Sequence, residues 1–135
     1  MSTGYANAAK AGCEALSRKL ETDFRRTKDV ASIAACFLEG SRVSVHDEAT
    51  GENHDWAVDE FYTNLFAKFQ GCSFDIHHRV FTGNVQFLTG TWMKQADFQQ
   101  VGWNTGKQRV GWATDTFVYD SDKDKFVALT VVWNK

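Results

Sequence analysis

Residues 109–120 read RVGWATDTFVYD, and a single acidic residue interrupts what is otherwise a strand. Trp112, Phe117, Val118 and Tyr119 suit a pleated, half-buried surface, and Thr114 and Thr116 are β-branched. Strand side chains alternate between faces. Asp115 therefore shares one face with Gly111, Ala113, Phe117 and Tyr119, while Trp112, Thr114, Thr116 and Val118 take the other. If the first face is the inner one, a carboxyl group sits among aromatic rings, where its charged form is costly unless paired, protonated or hydrogen-bonded. The alternative is an Asp115 that faces water or is satisfied by backbone amides. A slip of one residue in register would turn it outward.

The same period of two extends to both sides. Strands are expected at 73–82, 85–95, 109–119 and 126–133, with Gly83 and Asn84 forming a two-residue turn and 120–125 a charged one. Residues 96–107 form a longer connection with Gly102, Asn104 and Gly106 as breakers and Phe98 and Trp103 as apolar anchors, a lid or rim in kind.

Upstream the period changes to that of helices. Ala9, Cys13, Leu16, Leu20 and Phe24 recur on one face of a helix over 7–28, and a second helix over 29–39 has Thr27 or Asp29 as its cap and Gly40 at its C-terminal end. A short strand at 42–46 and a polar loop at 47–54 lead to a third helix at 56–69. That helix is striped by Val58, Phe61, Tyr62, Leu65, Phe66 and Phe69, capped by Asp55, and has Asp59 and Glu60 at the positive end of its dipole. Helices first and strands afterwards predict an α+β domain, one domain over 1–135, with three N-terminal helices packed on a mainly antiparallel sheet.

Composition narrows the function. Eleven Phe, five Trp and three Tyr are a high aromatic share for this size, enough to line an apolar pocket or a partner surface as well as fill a core. A net charge of −2 gives no general attraction to phosphate backbones or anionic lipid, so neither nucleic acid nor membrane is an expected partner. The basic residues between 18 and 28 fall on a solvated helix face. Cys13, Cys36 and Cys72 are widely spaced, which fits free thiols in a reducing compartment; with no apolar signal core or spanning run, cytoplasm is the expected location.

Metal and phosphate motifs fail on inspection. DSDKDK from Asp120 has Lys125 where a calcium loop needs Gly and Val131 where it needs Glu. GWNTGKQ from Gly102 is one residue short of a phosphate-binding loop and lacks the hydroxyl residue after its lysine. His77 and His78, adjacent on a strand, point to opposite faces and cannot share a metal. What remains is acid/base chemistry: Asp115, the pair His46 and Asp47 at the end of the short strand, and His78, expected to share a face with Phe74, Ile76 and Val80. A satisfied structural role is the competing reading for each.

The layout resembles the cone-shaped fold shared by nuclear transport factor 2, ketosteroid isomerase, scytalone dehydratase and SnoaL-like polyketide cyclases. DVASIAACFLEGSRVSVHD resembles the family's second helix and the strand before its acidic residue, WAVDEFYTNLFAKF the helix that follows, and TDTFVYDSDKDKFVALTVVW the last two strands. The resemblance implies a general-base Asp at Asp47 and a second acid, held protonated by an apolar site, at Asp115. It departs in the first helix, where the isomerases have an oxyanion Tyr and this chain has Glu21 or Phe24 nearby. The implied activity is cofactor-independent isomerisation, cyclisation or dehydration of a small apolar polyketide-, steroid- or terpenoid-like molecule by Asp115, Asp47 and His46. Phe24, Trp56, Tyr62, Phe66, His78, Phe117 and Tyr119 would line the pocket. The alternative is a non-catalytic ligand-binding or interaction module, and in either case the outward face, with Trp112, Val118 and Trp92, would make a homodimer through the sheet.

Overall fold

A computed structural model describes residues 3–95 and 106–135, with side chains from residue 7 onward. Most of the lid segment expected at 96–107, with Phe98 and Trp103, lies outside the described residues. Helix α1 spans Thr3–Arg26, burying Ala9, Cys13, Leu16, Ser17 and Leu20, with Arg25 and Arg26 at the negative end of its dipole. Asp29 caps α2, accepting from the backbone N–H of Ala31 at 3.0 Å and of Ser32 at 3.4 Å.

Helix α2 runs only over Val30–Ala34 and does not reach residue 39. Phe37 instead enters strand β1, Phe37–Asp47, opposite Phe126. An apolar Phe-Leu pair fits a helix stripe or a strand equally well, and here the sheet takes it. Gly40, at φ +85°, lies where the pairing of β1 shifts between Phe37 and Arg42 and is not a helix terminus. Strand β2, Asn53–Ala57, occupies part of the expected polar loop and pairs antiparallel with β1. Asp55 therefore meets Arg42 Nε at 3.1 Å across the ladder, and α3, Val58–Lys68, starts at Val58 without a side-chain cap.

Strands β3 (Ser73–Thr82), β4 (Val85–Gln95), β5 (Lys107–Asp120) and β6 (Lys125–Asn134) complete a six-stranded sheet of order β2-β1-β6-β5-β4-β3. The β1–β6 pair is parallel and the others antiparallel, so the sheet is mixed. The architecture is α+β, with two long helices and one of five residues among the described residues.

The inner face carries Val43, Val45, Leu88, Trp92, Ala113, Phe117, Leu129, Val131 and Trp133, all buried in one cluster with Cys13, Leu16, Leu20, Phe61, Tyr62 and Leu65 of the helices. Phe69 stacks on Trp92 at 4.3 Å between ring centres and meets Trp133 edge-on at 5.9 Å, an arrangement that aromatic quadrupoles favour. Trp92 thus belongs to the core and is no part of an outward patch. No helix among the described residues is long and apolar enough to cross a membrane.

Candidate active site

Strand β5 points Asp115 inward. Its neighbours of the same parity, Gly111, Ala113, Phe117 and Tyr119, are all buried, and Asp115 lies in register between Leu88 of β4 and Val131 of β6. The residue as a whole is half-buried, yet its Oδ1 is cut off from solvent and has no hydrogen-bond partner. Burial alone pushes the carboxyl from its ordinary 3.8 up to about 7. Proteins seldom leave such a group unsatisfied without a use for it.

Two cavities meet at this carboxyl. One of about 60 Å³ lies under α1 and is lined by Ser17, Leu20, Glu21, Phe74, Ile76, Arg79, Gln86, Leu88, Asp115, Phe117 and Phe126. The other, of about 30 Å³, lies under α3 and is lined by Phe24, Phe61, Tyr62, Leu65, Phe74, Trp92, Ala113, Asp115 and Val131. Tyr62 is held neutral: burial first, then the nearby Asp115 charge, raises its hydroxyl well above the usual range. At the edge of the larger cavity the half-exposed Glu21 accepts from Arg79 Nη2 at 3.0 Å and from Arg25 Nε at 3.4 Å. Burial opposes the ionisation of Glu21, but Arg79 and Arg25 outweigh it and hold the carboxyl below its ordinary value.

A larger concavity, about 690 Å³, lies between α2, β1 and the start of α3, but its charged lining residues Glu39, Arg42 and Asp59 are exposed and it holds no buried polar atom left without a partner. Chemistry therefore favours the smaller cavities. Among the described residues no group of three or more His, Cys, Asp or Glu side chains converges as metal ligands do.

Of the residues expected at the site, Asp115, Phe24, Tyr62 and Phe117 line these cavities. The structure does not bring Asp47 to them. It is buried on the inner face of β1 opposite Trp133, two strands and two residues away, roughly 12 Å from Asp115 at ordinary sheet spacings. Its Oδ1 accepts from the backbone N–H of Ala49 at 2.9 Å and of Thr50 at 3.3 Å, and Lys68 Nζ stands 3.5 Å from Oδ2. Burial works against its ionisation, but the facing Trp133 indole, Lys68 and the two amides prevail and hold its pKa below the ordinary value. Asp47 is a turn-fixing carboxylate.

His46 points to the other face, its side chain 38% exposed, with ring nitrogens 2.8 Å from Asn53 Oδ1 and 3.0 Å from Glu48 Oε2. His78 is exposed, because a bulge between Ile76 and His78 shifts the parity of β3: Phe74 and Ile76 face the core, whereas His78 and Val80 face out. Trp56 stacks on His54 at 4.4 Å, away from both cavities. Phe66 packs behind Phe24 at 5.2 Å. Tyr119 donates to Asp124 Oδ1 at 2.6 Å beside α1 and also lines neither cavity.

The lining residues that were not expected at the site include the polar side chains of Gln86, Ser17 and Arg79. Gln86 shares parity with Leu88 and Trp92, a signal present in the sequence, and Ser17 lies one turn beyond Cys13 on the buried face of α1. Arg79 was hidden by the bulge that reverses β3.

No protein-family model matches this chain, and no curated protein matches it. Solved structures do. A provisional isomerase of the SnoaL-like family from Agrobacterium tumefaciens C58 superposes with a TM-score of 0.61 at 10% identity, over 93% of this chain and 99% of that one. The chain has the nuclear transport factor 2-like fold. A provisional SnoaL-like polyketide cyclase from Shewanella denitrificans OS-217 gives 0.58 at 12% identity over 90% and 89% of the two chains. A nuclear transport factor 2-like protein of unknown function from Cytophaga hutchinsonii gives 0.56 at 12% over 89% and 97%. At such identities the likeness is one of architecture, and function is argued from the site.

Proposed function

We propose that this protein is an acid/base enzyme, an isomerase, cyclase or dehydratase, with Asp115 as its proton-transfer group. The observation that carries the reading is the Asp115 carboxyl at the junction of two cavities, its Oδ1 buried without a hydrogen-bond partner; burial raises its pKa to about 7. Near neutral pH both its forms are populated: the carboxylate takes a proton from the carbon beside a carbonyl, and the acid returns it to another carbon or to a leaving oxygen. Tyr62, a neutral hydroxyl on the same cavity wall, is the proposed donor to the oxygen that gains charge. Such proton transfer requires no cofactor.

The aromatic lining fits a small, largely apolar polyketide-, steroid- or terpenoid-like molecule. The cavities are well below the roughly 300–1,000 Å³ of sites that engulf a drug-sized ligand, so only the reacting end would enter. The test is exchange of carbon-bound hydrogen into D2O across a panel of enolisable cyclic ketones, followed by NMR. Asp115→Asn is expected to slow exchange by about 10²- to 10⁴-fold, and an unchanged rate would remove Asp115 from the chemistry.

A second reading, a non-catalytic binding or dimerisation module, draws on the outer sheet face. Val80 and Phe87 are cross-strand partners and are 56% and 46% exposed, with half-buried Trp112 and Val118 on the same face. We assign this face to a homodimer, which is compatible with either reading.

A further inference from the structure

The larger cavity has four buried side-chain atoms without partners: Ser17 Oγ, Arg79 Nε, Gln86 Oε1 and Asp115 Oδ1. Ser17 and Gln86 are only 4% and 2% exposed, so solvent at the surface does not satisfy them. The sheet register arranges three of them around Leu88. Arg79 and Asp115 flank Leu88 on the neighbouring strands, and Gln86 lies two residues along β4 on the same face. Ser17 closes the arrangement from α1.

Each atom has a fixed hydrogen-bonding sense. Arg79 Nε–H can only donate, and the contact from Nη2 to Glu21 at 3.0 Å anchors that guanidinium. Gln86 Oε1 can only accept, whereas Ser17 can do either and Asp115 donates when protonated. A lone carbonyl would leave Gln86 unsatisfied. A hydroxyl can donate to Gln86 while a carbonyl oxygen accepts from Arg79, so a group that carries both matches the two fixed senses at once.

We infer that this polar wall is a subsite for a hydroxy-carbonyl group, the hydroxyl donating to Gln86 and the carbonyl oxygen accepting from Arg79, beside Asp115. The inference rests on reading this cavity as the reaction site, and it narrows the substrate to molecules whose reacting end carries both functions. Gln86 and Arg79 are then ligand-binding residues and Asp115 the proton-transfer group. A site built to pair a hydroxyl discriminates strongly against analogues that lack it, because its buried polar groups are left open.

The test uses three probes of one carbon skeleton: 3-hydroxybutan-2-one, 2-butanone and 2-butanol, titrated by NMR into the wild-type protein and into Gln86→Met. The wild type is expected to bind the hydroxy ketone at least about tenfold more tightly than either analogue, the worth of one buried hydrogen bond. Gln86→Met, which replaces an unpaired buried acceptor with an apolar chain of similar length, is expected to fold with undiminished stability and to lose the preference. Equal binding of the three probes, or no shift of cavity resonances with any of them, would overturn the subsite and leave the cavity to water. Exchange at the probe's carbon in D2O separates the two ideas. Asp115-dependent exchange without the hydroxyl preference keeps the acid/base reading and removes the subsite, and the preference without such exchange does the reverse.

Discussion

Replacing Asp115 by Asn should stabilise the protein, and by an amount that depends on pH. The wild-type carboxyl is raised in the folded state from 3.8 to about 7 by burial. Below pH 3.8 both folded and unfolded chains hold the proton, and the group costs nothing. Between 3.8 and about 7 the unfolded chain ionises while the folded one does not, so the folded state binds more protons and wild-type stability falls as pH rises. Above about pH 7 the loss is complete; at about 1.4 kcal/mol per pH unit it amounts to roughly 4 kcal/mol. The amide side chain fills the same space without a charge. Urea unfolding of the wild type and D115N at pH 4, 5.5, 7 and 8 should show a gap near zero at the acid end, widening to roughly 4 kcal/mol in favour of D115N at the alkaline end. Other titrating groups are common to the two proteins and cancel. A gap that stays constant from pH 4 to 8 would mean that Asp115 is solvated or paired, and the burial argument would fail.

Three further outcomes are expected. Asp47→Ala should destabilise by about 1–3 kcal/mol at pH 7 through loss of the Ala49, Thr50 and Lys68 contacts. Because the folded pKa of Asp47 is lowered, this contribution is present above pH 3.8 and disappears as pH falls through the folded value, which unfolding at pH 2.5 and 7 checks. Gly90→Ala would put a methyl 2.6 Å from Phe74 Cζ and into the Asp75 carbonyl, so thermal unfolding should show a loss of about 1–3 kcal/mol. Val80→Glu with Phe87→Glu should convert a dimer to a monomer in sedimentation equilibrium while leaving the fold intact, since both side chains are exposed on the outer face; an unchanged mass would remove that face from the interface.

The long amphipathic elements were legible in the sequence because each has one unambiguous period. The stripes of α1 and α3 and the alternation of β5 carry over to the structure, including the inward face of Asp115. The misread elements are those whose local signal fits two states. Phe37 and Leu38 suit helix or strand, and pairing with β6 decided between them. Strand β2 has no alternation of its own and exists because β1 offers it a ladder.

The site divides along the same line. The alternation of β5 put Asp115 and Phe117 on the inner face, as the structure has them, but Trp92 on β4 was read outward and is core, and the bulge at Ile76 and His78 reversed the rest of β3, putting Arg79 in and His78 out. Asp47 was misplaced for a different reason: its position next to His46 suggested chemistry, but the turn that follows uses its oxygens for backbone amides. A one-dimensional pattern does not reveal which acidic residue has its hydrogen bonds satisfied.

Whether Asp115 is a desolvated, unpaired carboxyl poised for proton transfer is decided by its own titration. The side-chain carboxyl carbon of Asp115, assigned by comparison with Asp115→Asn and followed by NMR across pH 3 to 9, should titrate with a midpoint of about 7. A midpoint near 3.8 would show an ordinary solvated carboxylate and leave the cavity without its acid/base group.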